Sequence, residues 1–332
     1  METRKVQKTG GSTYIISLPK QWAEGVGIRT GSRVSIHAQP DGTLTIATLD
    51  TSTQPKQKKM DVTGCMGDDL TRNLIAAYIA GYDIIELTGE RILAEQKKVI
   101  RNVCHKLIGP EIIEENARSV VIQDLLNRDE VSIKKSIRRM FLISNSMHEE
   151  AMQALKSGDT DLAMDVIQRD DEVDRLFLLI SKQFRSVLRG ARLLDTSRMN
   201  INEYYDLRMV ATFLERIADH ALRIATVAQT LDYPVPDPIM ELITTASQSS
   251  RKIVEGGIDA LYGQDVGLAN QIIDSIEDIR AQINMLNVAL LTIDSVEAAV
   301  ALGSVADSID RTADYGVNIA ESAINLTVAM ME

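Results

Sequence analysis

Residues 215–225 read ERIADHALRIA and residues 310–320 read DRTADYGVNIA, so the chain contains two imperfect copies of one stretch. At an offset of 95 residues, five of the eleven positions are identical, and the carboxylate of Glu215 is kept by Asp310. Both copies lie inside long segments whose apolar residues have helical spacing. A repeat of this kind indicates that one structural unit occurs twice in tandem.

The segments around the two copies predict two sets of three long helices. The predicted helices cover 129–157, 160–189 and 203–232 in the first set and 237–262, 265–294 and 296–331 in the second. A joint containing Pro234, Pro236 and Pro238 separates the sets, and no proline falls between residues 111 and 233. Because proline interrupts helices, this distribution permits long ones. We predict a mainly α protein with two tandem three-helix bundles, at 128–233 and 234–332.

The residues before the bundles predict two smaller parts and a linker. Short strands are expected at 60–64, 83–88, 111–115 and 119–122, and helices at 70–81 and 92–107, which makes residues 60–127 a small α/β module. Residues 51–59 are polar, contain Pro55 and read as a linker. Residues 1–50 read as short strands with one short helix. The module shows no catalytic signature.

Charge is distributed unevenly along the chain. Residues 1–60 hold nine Lys or Arg against four acids, a net charge of +5, whereas the whole chain of 332 residues carries −11, so residues 61–332 carry −16. A basic N-terminal part on an acidic remainder indicates that the two parts meet different partners. An anion such as nucleic acid suits the basic part.

The N-terminal 50 residues resemble the SpoVT-AbrB swapped-hairpin domain, which includes the AbrB regulators and the MazE-type antitoxins. The resemblance is carried by RKVQKTG at 4–10, YIISLPK at 14–20, GSRV at 31–34 and Asp41-Gly42. It implies an interleaved dimer that binds DNA through basic and small polar residues of the first strand and loop. By position these are Arg4, Lys5, Lys8, Ser12 and Thr13. The alternative is a dimerisation module that has lost DNA binding.

Three pairs of acidic residues have the spacing i, i+4, which puts each pair on one helix face about one turn apart. The pairs are Asp170 and Asp174, Glu215 and Asp219, and Asp310 and Asp314. Like charges beside an apolar seam repel, and a bound cation offsets that repulsion. Ligand sets made only of oxygen suit Mg, Mn, Ca or iron. The alternative is a solvated face on which Arg175 and Arg216 act as counter-ions.

The second bundle departs from this pattern on its middle helix. In the alignment of the repeats, Ile276 and Arg280 stand where the first bundle has Asp170 and Asp174. Asp274 and Asp278 supply an acidic pair only after a shift of two residues. We therefore predict that a second metal site is weaker or differently built.

The helical body resembles the PhoU family of phosphate-transport regulators. The resemblance is carried by DDEVDRL at 170–176, ERIADHA at 215–221, DRTADY at 310–315 and NIAE at 318–321. It implies tandem three-helix bundles with a multinuclear iron or zinc cluster on the acidic pairs, with Mn or Mg as further candidates. It also implies negative control of phosphate uptake, with partners in the phosphate transporter or its signalling. The AbrB-like and PhoU-like parts together resemble the archaeal PhoU-like regulators.

Two other interpretations of the acidic pairs stay open, namely a metal-dependent enzyme for hydrolysis or oxygen chemistry and a metal-free helical scaffold. Against an enzyme, the sequence has no Glu-x-x-His motif of the di-iron type and no nucleophile–base motif. We expect a non-enzymatic homo-oligomer, at least a dimer. Two cysteines, no apolar run of membrane-spanning length and no apolar leader predict a cytoplasmic protein without a transmembrane segment.

Overall fold

The computed structural model describes residues 3–38, 42–48, 55–126, 131–188, 199 and 201–330. The chain divides into two compact units, residues 1–56, called the head below, and residues 57–332, called the body. The predicted linker residues 51–54 lie outside the described residues, as does Asp41 of the AbrB-like pattern. The same holds for the ends of predicted helices at 129–130, 189 and 331.

The head consists of two antiparallel strand pairs and one short helix. Strand β1 (Gln7–Thr9) pairs with β2 (Thr13–Ile15), helix α1 (Lys20–Gly25) follows Pro19, and β3 (Val34–Ala38) pairs with β4 (Leu44–Thr48). Gly10 and Gly11 adopt the positive φ angles that the β1–β2 turn requires. Many large apolar side chains of this unit stay exposed, as shown by Tyr14 at 70% and Ile36 at 61%.

The body begins with the predicted α/β module. Its four-stranded sheet has the order β5-β6-β8-β7 and contains β5 (Gln57–Asp61), β6 (Ile84–Thr88), β7 (Pro110–Glu115) and β8 (Ser119–Asp124). Strands β5 and β6 are parallel and are connected by α2 (Gly67–Ile79), whereas the other two pairings are antiparallel. Helix α3 (Ala94–His105) connects β6 to β7. Leu70, Leu74, Leu87, Ile100 and Val120 form the centre of its core.

The first strand of the module differs from the prediction. It was expected at 60–64 after a linker ending at residue 59, but it covers 57–61 and therefore includes Lys58 and Lys59. Strand β5 lies at the edge of the sheet and most of its side chains are exposed, so its sequence shows no apolar alternation. Charged residues on an edge strand protect it from pairing with other chains.

Among the residues described after the α/β module, seven helices form the rest of the body. The first bundle contains α4 (Ile133–Ser157), α5 (Thr160–Leu188) and α6 (Ile201–Thr230), and the second contains α7 (Asp237–Gly263), α8 (Val266–Asp274), α9 (Ile276–Leu290) and α10 (Val296–Met330). Helices α4 and α7 end in the same way, at Gly158 and Gln264 in the left-handed conformation. The predicted mainly helical fold with tandem bundles after a small β-containing head is thus confirmed.

The predicted single helix at 265–294 is wrong, because the chain has two helices there, separated at Ser275. The Ser275 hydroxyl donates a hydrogen bond to the Ile272 carbonyl at 2.7 Å, a side-chain bond that competes with continued helix pairing. The Ile272 side chain of α8 packs against Gly256 of α7, where a Cβ atom would collide with it.

The two bundles are joined by contacts that repeat when the bundles are exchanged. Asn145 Nδ2 of α4 donates to Glu255 Oε1 of α7 at 3.1 Å, and Arg251 of α7 makes an ion pair with Glu149 of α4 at 3.1 Å. At the offset of 106 residues between α4 and α7, each contact is the counterpart of the other. The bundles are thus related by an approximate two-fold axis, and their buried apolar residues form one continuous core.

We predict that alanine substitutions of two glycines on α10 change stability in opposite directions. A Cβ on Gly316 would meet Val254 N at 2.9 Å, whereas one on Gly303 would meet nothing within 4 Å. Gly316→Ala should therefore lower the free energy of unfolding by about 1–3 kcal/mol. Gly303→Ala should raise it by up to about 1 kcal/mol through helix propensity. Denaturant titration measures both, and equal stability of the two variants would contradict the close packing of α7 and α10.

Candidate functional site

Helices α5 and α6 run antiparallel, and this arrangement brings the first two acidic pairs together. Phe184 contacts Tyr205, and Phe177 contacts Arg208. The charge of Asp219 acts on Asp174. Residues earlier in α5 therefore lie near residues later in α6. Asp170, Asp174, Glu215 and Asp219 are all half-buried. We call these four side chains the carboxylate cluster.

Burial and mutual repulsion disfavour the negatively charged state of the carboxylate cluster. Burial, as the largest cause, and the negative charges of neighbouring carboxylates together raise the pKa of Asp170 to about 7; these neighbours are Asp174, Asp219, Asp171 and Glu215. The pKa of Asp174 is also raised, first by burial and then by Asp219. Burial is likewise the largest cause of the raised pKa of Glu215. A cation bound between α5 and α6 would favour the charged carboxylates and lower all three pKa values.

One oxygen of the cluster lacks a hydrogen bond within the described part of the chain. Glu215 Oε2 is buried and unpartnered, although the Arg216 Nε atom lies 3.5 Å from it. Arg216 also lies 3.3 Å from Asp219 Oδ2. Since the Arg216 side chain is about half exposed, this ion pair stabilises the carboxylates only weakly.

A further cation reaches the cluster from the α/β module, and the sequence analysis missed it. Lys106, just after α3, makes an ion pair with Asp171 Oδ1 at 2.8 Å. This hydrogen bond is the largest cause of the raised pKa of Lys106, and the charges of Asp174 and Asp170 add to it. Arg175, the other predicted counter-ion, instead lines a groove against Cys104 and His105 of the module.

The second bundle lacks an equivalent arrangement among its described residues. The charges that act on Asp310 come from Asp314, Arg311, Arg280 and Asp307. Arg280, which replaces Asp174 in the repeat, thus faces the acidic pair as a cation. Asp274 and Asp278, the two remaining predicted ligands, are exposed and lie on either side of the break at Ser275.

The predicted DNA-binding residues are distributed along the β1–β2 hairpin and the residues just before it. Lys8 belongs to β1, Thr13 begins β2, and Ser12 lies in the turn between them. Arg4 and Lys5 precede β1, and all five side chains are exposed. Lys8 Nζ lies 5.9 Å from the centre of the Tyr14 ring. The hairpin therefore presents basic and hydroxyl groups on an exposed surface.

The carboxylate cluster contains ligand atoms that suit a cation, but its side chains are not arranged around one point. Its oxygen ligands, its raised pKa values and the unpartnered Glu215 Oε2 all favour a bound positive charge. Across the described residues, however, no three or more His, Cys, Asp or Glu side chains are arranged to hold a metal ion. Binding would therefore require the side chains to rearrange, with Glu215 and Asp219 turning away from Arg216.

The fold defines a protein of duplicated three-helix bundles. The PhoU domain family matches residues 137–228 and 243–323, which together make up more than half of the chain. This protein belongs to the PhoU family. The head matches a second family, "Antidote-toxin recognition MazE, bacterial antitoxin", over residues 7–59, which confirms the AbrB-like resemblance.

Similar proteins support the assignment of the body. The chain is 22% identical over 208 residues to the "Phosphate-specific transport system accessory protein PhoU homolog" of Clostridium acetobutylicum, covering 61% of this chain and 94% of that protein. It is 25% identical over 205 residues to PhoU homolog 1 of Thermotoga maritima, covering 59% and 86%.

Two crystal structures share their fold with more than half of this chain. PhoU from Pseudomonas aeruginosa aligns with a TM-score of 0.52 at 21% identity, covering 59% of this chain and 96% of that one. The PhoU regulatory protein from Streptococcus pneumoniae aligns with a TM-score of 0.52 at 20% identity, covering 59% and 94%. Within the described residues, no helix is long and apolar enough to span a membrane.

We predict that Asp170→Asn stabilises the metal-free protein at pH 8 more than at pH 5. The folded pKa of Asp170, about 7, lies above the ordinary value of 3.8. The folded state therefore holds a proton that the unfolded state releases, and stability falls as pH rises through this window. Asparagine is neutral throughout, so the variant avoids this loss.

Thermal melts in chelator at the two pH values measure the effect, at about 2–4 °C for each kcal/mol of relieved repulsion. Asp171→Asn is the matched control, because Asp171 is exposed and pairs with Lys106. A larger gain for Asp170→Asn at pH 5 than at pH 8 would contradict the assigned charge repulsion.

Proposed function

We propose that this protein regulates phosphate uptake, binding DNA through its head and a metal ion through its body. The observation that carries the proposal is the presence of both family matches on one chain, the MazE match at 7–59 and the PhoU match at 137–323. The similar proteins are described as accessory proteins of a phosphate-specific transport system. Components of a phosphate transporter or of its signalling are therefore the proposed protein partners.

The composition of the head supports DNA as its ligand. Arg4, Lys5 and Lys8 can neutralise phosphates, and the hydroxyl groups of Ser12 and Thr13 can donate to phosphate oxygens. The exposed apolar side chains of the head also support an oligomer, at least a dimer, because a second head could cover Tyr14, Ile15 and Ile16. A head that dimerises without binding DNA is the alternative.

The carboxylate cluster supports a metal ion as the ligand of the body. Asp170, Asp174, Glu215 and Asp219 would hold it, and the bound ion would supply positive charge that ties α5 to α6. Iron or zinc in a multinuclear cluster is proposed from the family resemblance, with Mn or Mg as alternatives. Asp310 and Asp314, with Asp274 and Asp278 as further candidate ligands, would form a weaker site because Arg280 already supplies a positive charge there.

We propose a regulatory protein rather than an enzyme, located in the cytoplasm, where a DNA-binding head meets its ligand. The similar proteins are described as accessory proteins, which supports a regulatory role. A metal-dependent enzyme would require catalysis at the carboxylate cluster. A metal-free scaffold would require that the cluster remain without a cation, and the metal experiment below distinguishes this case.

Replacing Arg4, Lys5 and Lys8 together with Ala is expected to weaken DNA binding and to flatten its dependence on salt. Each lost phosphate contact should reduce the slope of log K against log salt by about 0.9. Fluorescence anisotropy with duplex DNA at several salt concentrations measures the slope.

The matched control for the DNA experiment replaces Lys97, Lys98 and Arg101 of α3 with Ala, which removes the same charge from the body. Its DNA binding should stay close to that of the unmodified protein. Light scattering should give at least twice the chain mass of 36.7 kDa for the unmodified protein. Unchanged affinity of the head variant at all salt concentrations would exclude DNA binding through this hairpin.

Metal binding is expected to raise the melting temperature of the unmodified protein and not that of a Glu215→Gln, Asp219→Asn double variant. The bound ion stabilises only the folded state, so its removal by chelator should lower the transition. Elemental analysis after loading with iron, zinc or manganese counts the bound ions. An Asp274→Asn, Asp278→Asn variant is the control, and loading with none of these metals would overturn the metal proposal.

A further inference from the structure

A second site lies about two helical turns from the carboxylate cluster, in a groove between α2, α5 and α6. The groove has a volume of about 570 Å³, which is within the range of small-molecule sites and large for a single small anion. Phe177 and Phe184 of α5 and Tyr205 of α6 supply aromatic surface. The rings of Phe184 and Tyr205 lie 6.4 Å apart at an angle of 55°.

Two arginines of this groove bring like charges together. Arg185 lies on α5 and Arg208 on α6, and burial and the charge of Arg185 both lower the pKa of Arg208. The guanidinium of Arg208 packs over the Phe177 ring at 4.6 Å and donates a hydrogen bond to Thr212 Oγ1. This bond uses one of the five N–H groups of Arg208. Within the described residues Arg185 makes no ion pair. Two adjacent cations of this kind favour a bound anion.

A buried hydroxyl group in the groove lacks a partner. Ser181 lies one turn before Arg185 and is only 6% exposed. Its Oγ atom has no hydrogen-bond partner in the part of the chain that the structure describes. Serine in a helix usually donates to the carbonyl four residues earlier, so an unpaired hydroxyl in a groove wall points to a ligand that accepts its hydrogen bond.

The arginines and the serine are not general features of the repeat. At the offset of 106 residues that aligns the middle helices, Ser181 and Arg185 correspond to Asn287 and Leu291. At the offset of 95 that aligns the third helices, Arg208 corresponds to Gly303. The charged groove therefore exists in one bundle only, and helix packing alone does not require it.

We propose that this groove binds a nucleotide, with its phosphates on Arg185, Arg208 and Ser181 and its base against the aromatic side chains. Guanidinium groups bind phosphate through paired hydrogen bonds, and aromatic side chains stack on nucleobases without sequence preference. The hydroxyl of Ser181 donates to a phosphate oxygen. The groove is a separate site from those proposed for DNA in the head and for a metal ion in the carboxylate cluster.

Calorimetric titration of the full-length protein with ADP, in the presence of chelator, tests the proposal. Saturable binding of ADP is expected, with weaker binding of inorganic phosphate and of adenosine, because each carries half of the recognised groups. Arg185→Gln should weaken ADP binding by about tenfold, the usual loss for a hydrogen bond to a charged group. Ser181→Ala should weaken it by a smaller factor, and Phe184→Leu should weaken ADP while leaving phosphate unchanged.

Arg72→Gln is the matched control, since Arg72 is an exposed arginine on α2 that pairs with Asp69 and does not line the groove. ADP should bind this variant as it binds the unmodified protein. Arg185 is itself exposed, so its replacement leaves the core intact, and a thermal melt confirms folding. No saturable ADP binding, equal affinity for phosphate and ADP, or equal ADP affinity of Arg185→Gln and Arg72→Gln would each overturn the proposal.

Discussion

Close packing along one face of α6 imposes the main constraint on this protein. Ala211, Ala218 and Ala225, spaced seven residues apart, are fully buried, and small side chains let neighbouring helices approach closely. Glu215 and Asp219 lie beside this alanine face, so the same packing that builds the core also brings them near Asp170 and Asp174 of α5. The repulsion within the carboxylate cluster is thus a direct consequence of the helix packing that stabilises the body.

The periodic parts of the sequence predicted most of the fold. The repeat at 215–225 and 310–320 and the proline-rich joint predicted the tandem bundles. Edge strand β5 was placed too late because its exposed lysines carry no apolar pattern. The break at Ser275 was missed because no proline or glycine marks it in the sequence. For the candidate site, i, i+4 spacing identified the residues of the cluster. Lys106 could not be identified, because its contact with Asp171 joins residues 65 positions apart.

The two bundles show two different solutions to the same electrostatic problem. In the second bundle Arg280 places a positive charge near Asp310, although it also makes an ion pair with Glu277. In the first bundle Asp174 occupies the equivalent position, and the nearby cations Lys106 and Arg216 are largely exposed. Because exposed ion pairs contribute little, the first bundle keeps an uncompensated negative charge that an external cation can neutralise. The two copies thus differ at two positions of the repeat, where Ile276 and Arg280 replace Asp170 and Asp174.

Helix α6 also connects the carboxylate cluster to the charged groove. Arg208 and Glu215 lie seven residues apart, which is about 10 Å along a helix, and the charge of Glu215 acts on Arg208. A cation bound at the cluster would reduce the negative field at Arg208, and an anion bound in the groove would reduce the positive field at Glu215. Each ligand would thus alter the affinity of the other by the same factor, because coupling free energies between binding sites are reciprocal. The sign follows from the distance between the bound charges. An anion and a cation about 10 Å apart attract one another, and each also neutralises protein charge that repels the other, so both effects make the coupling positive.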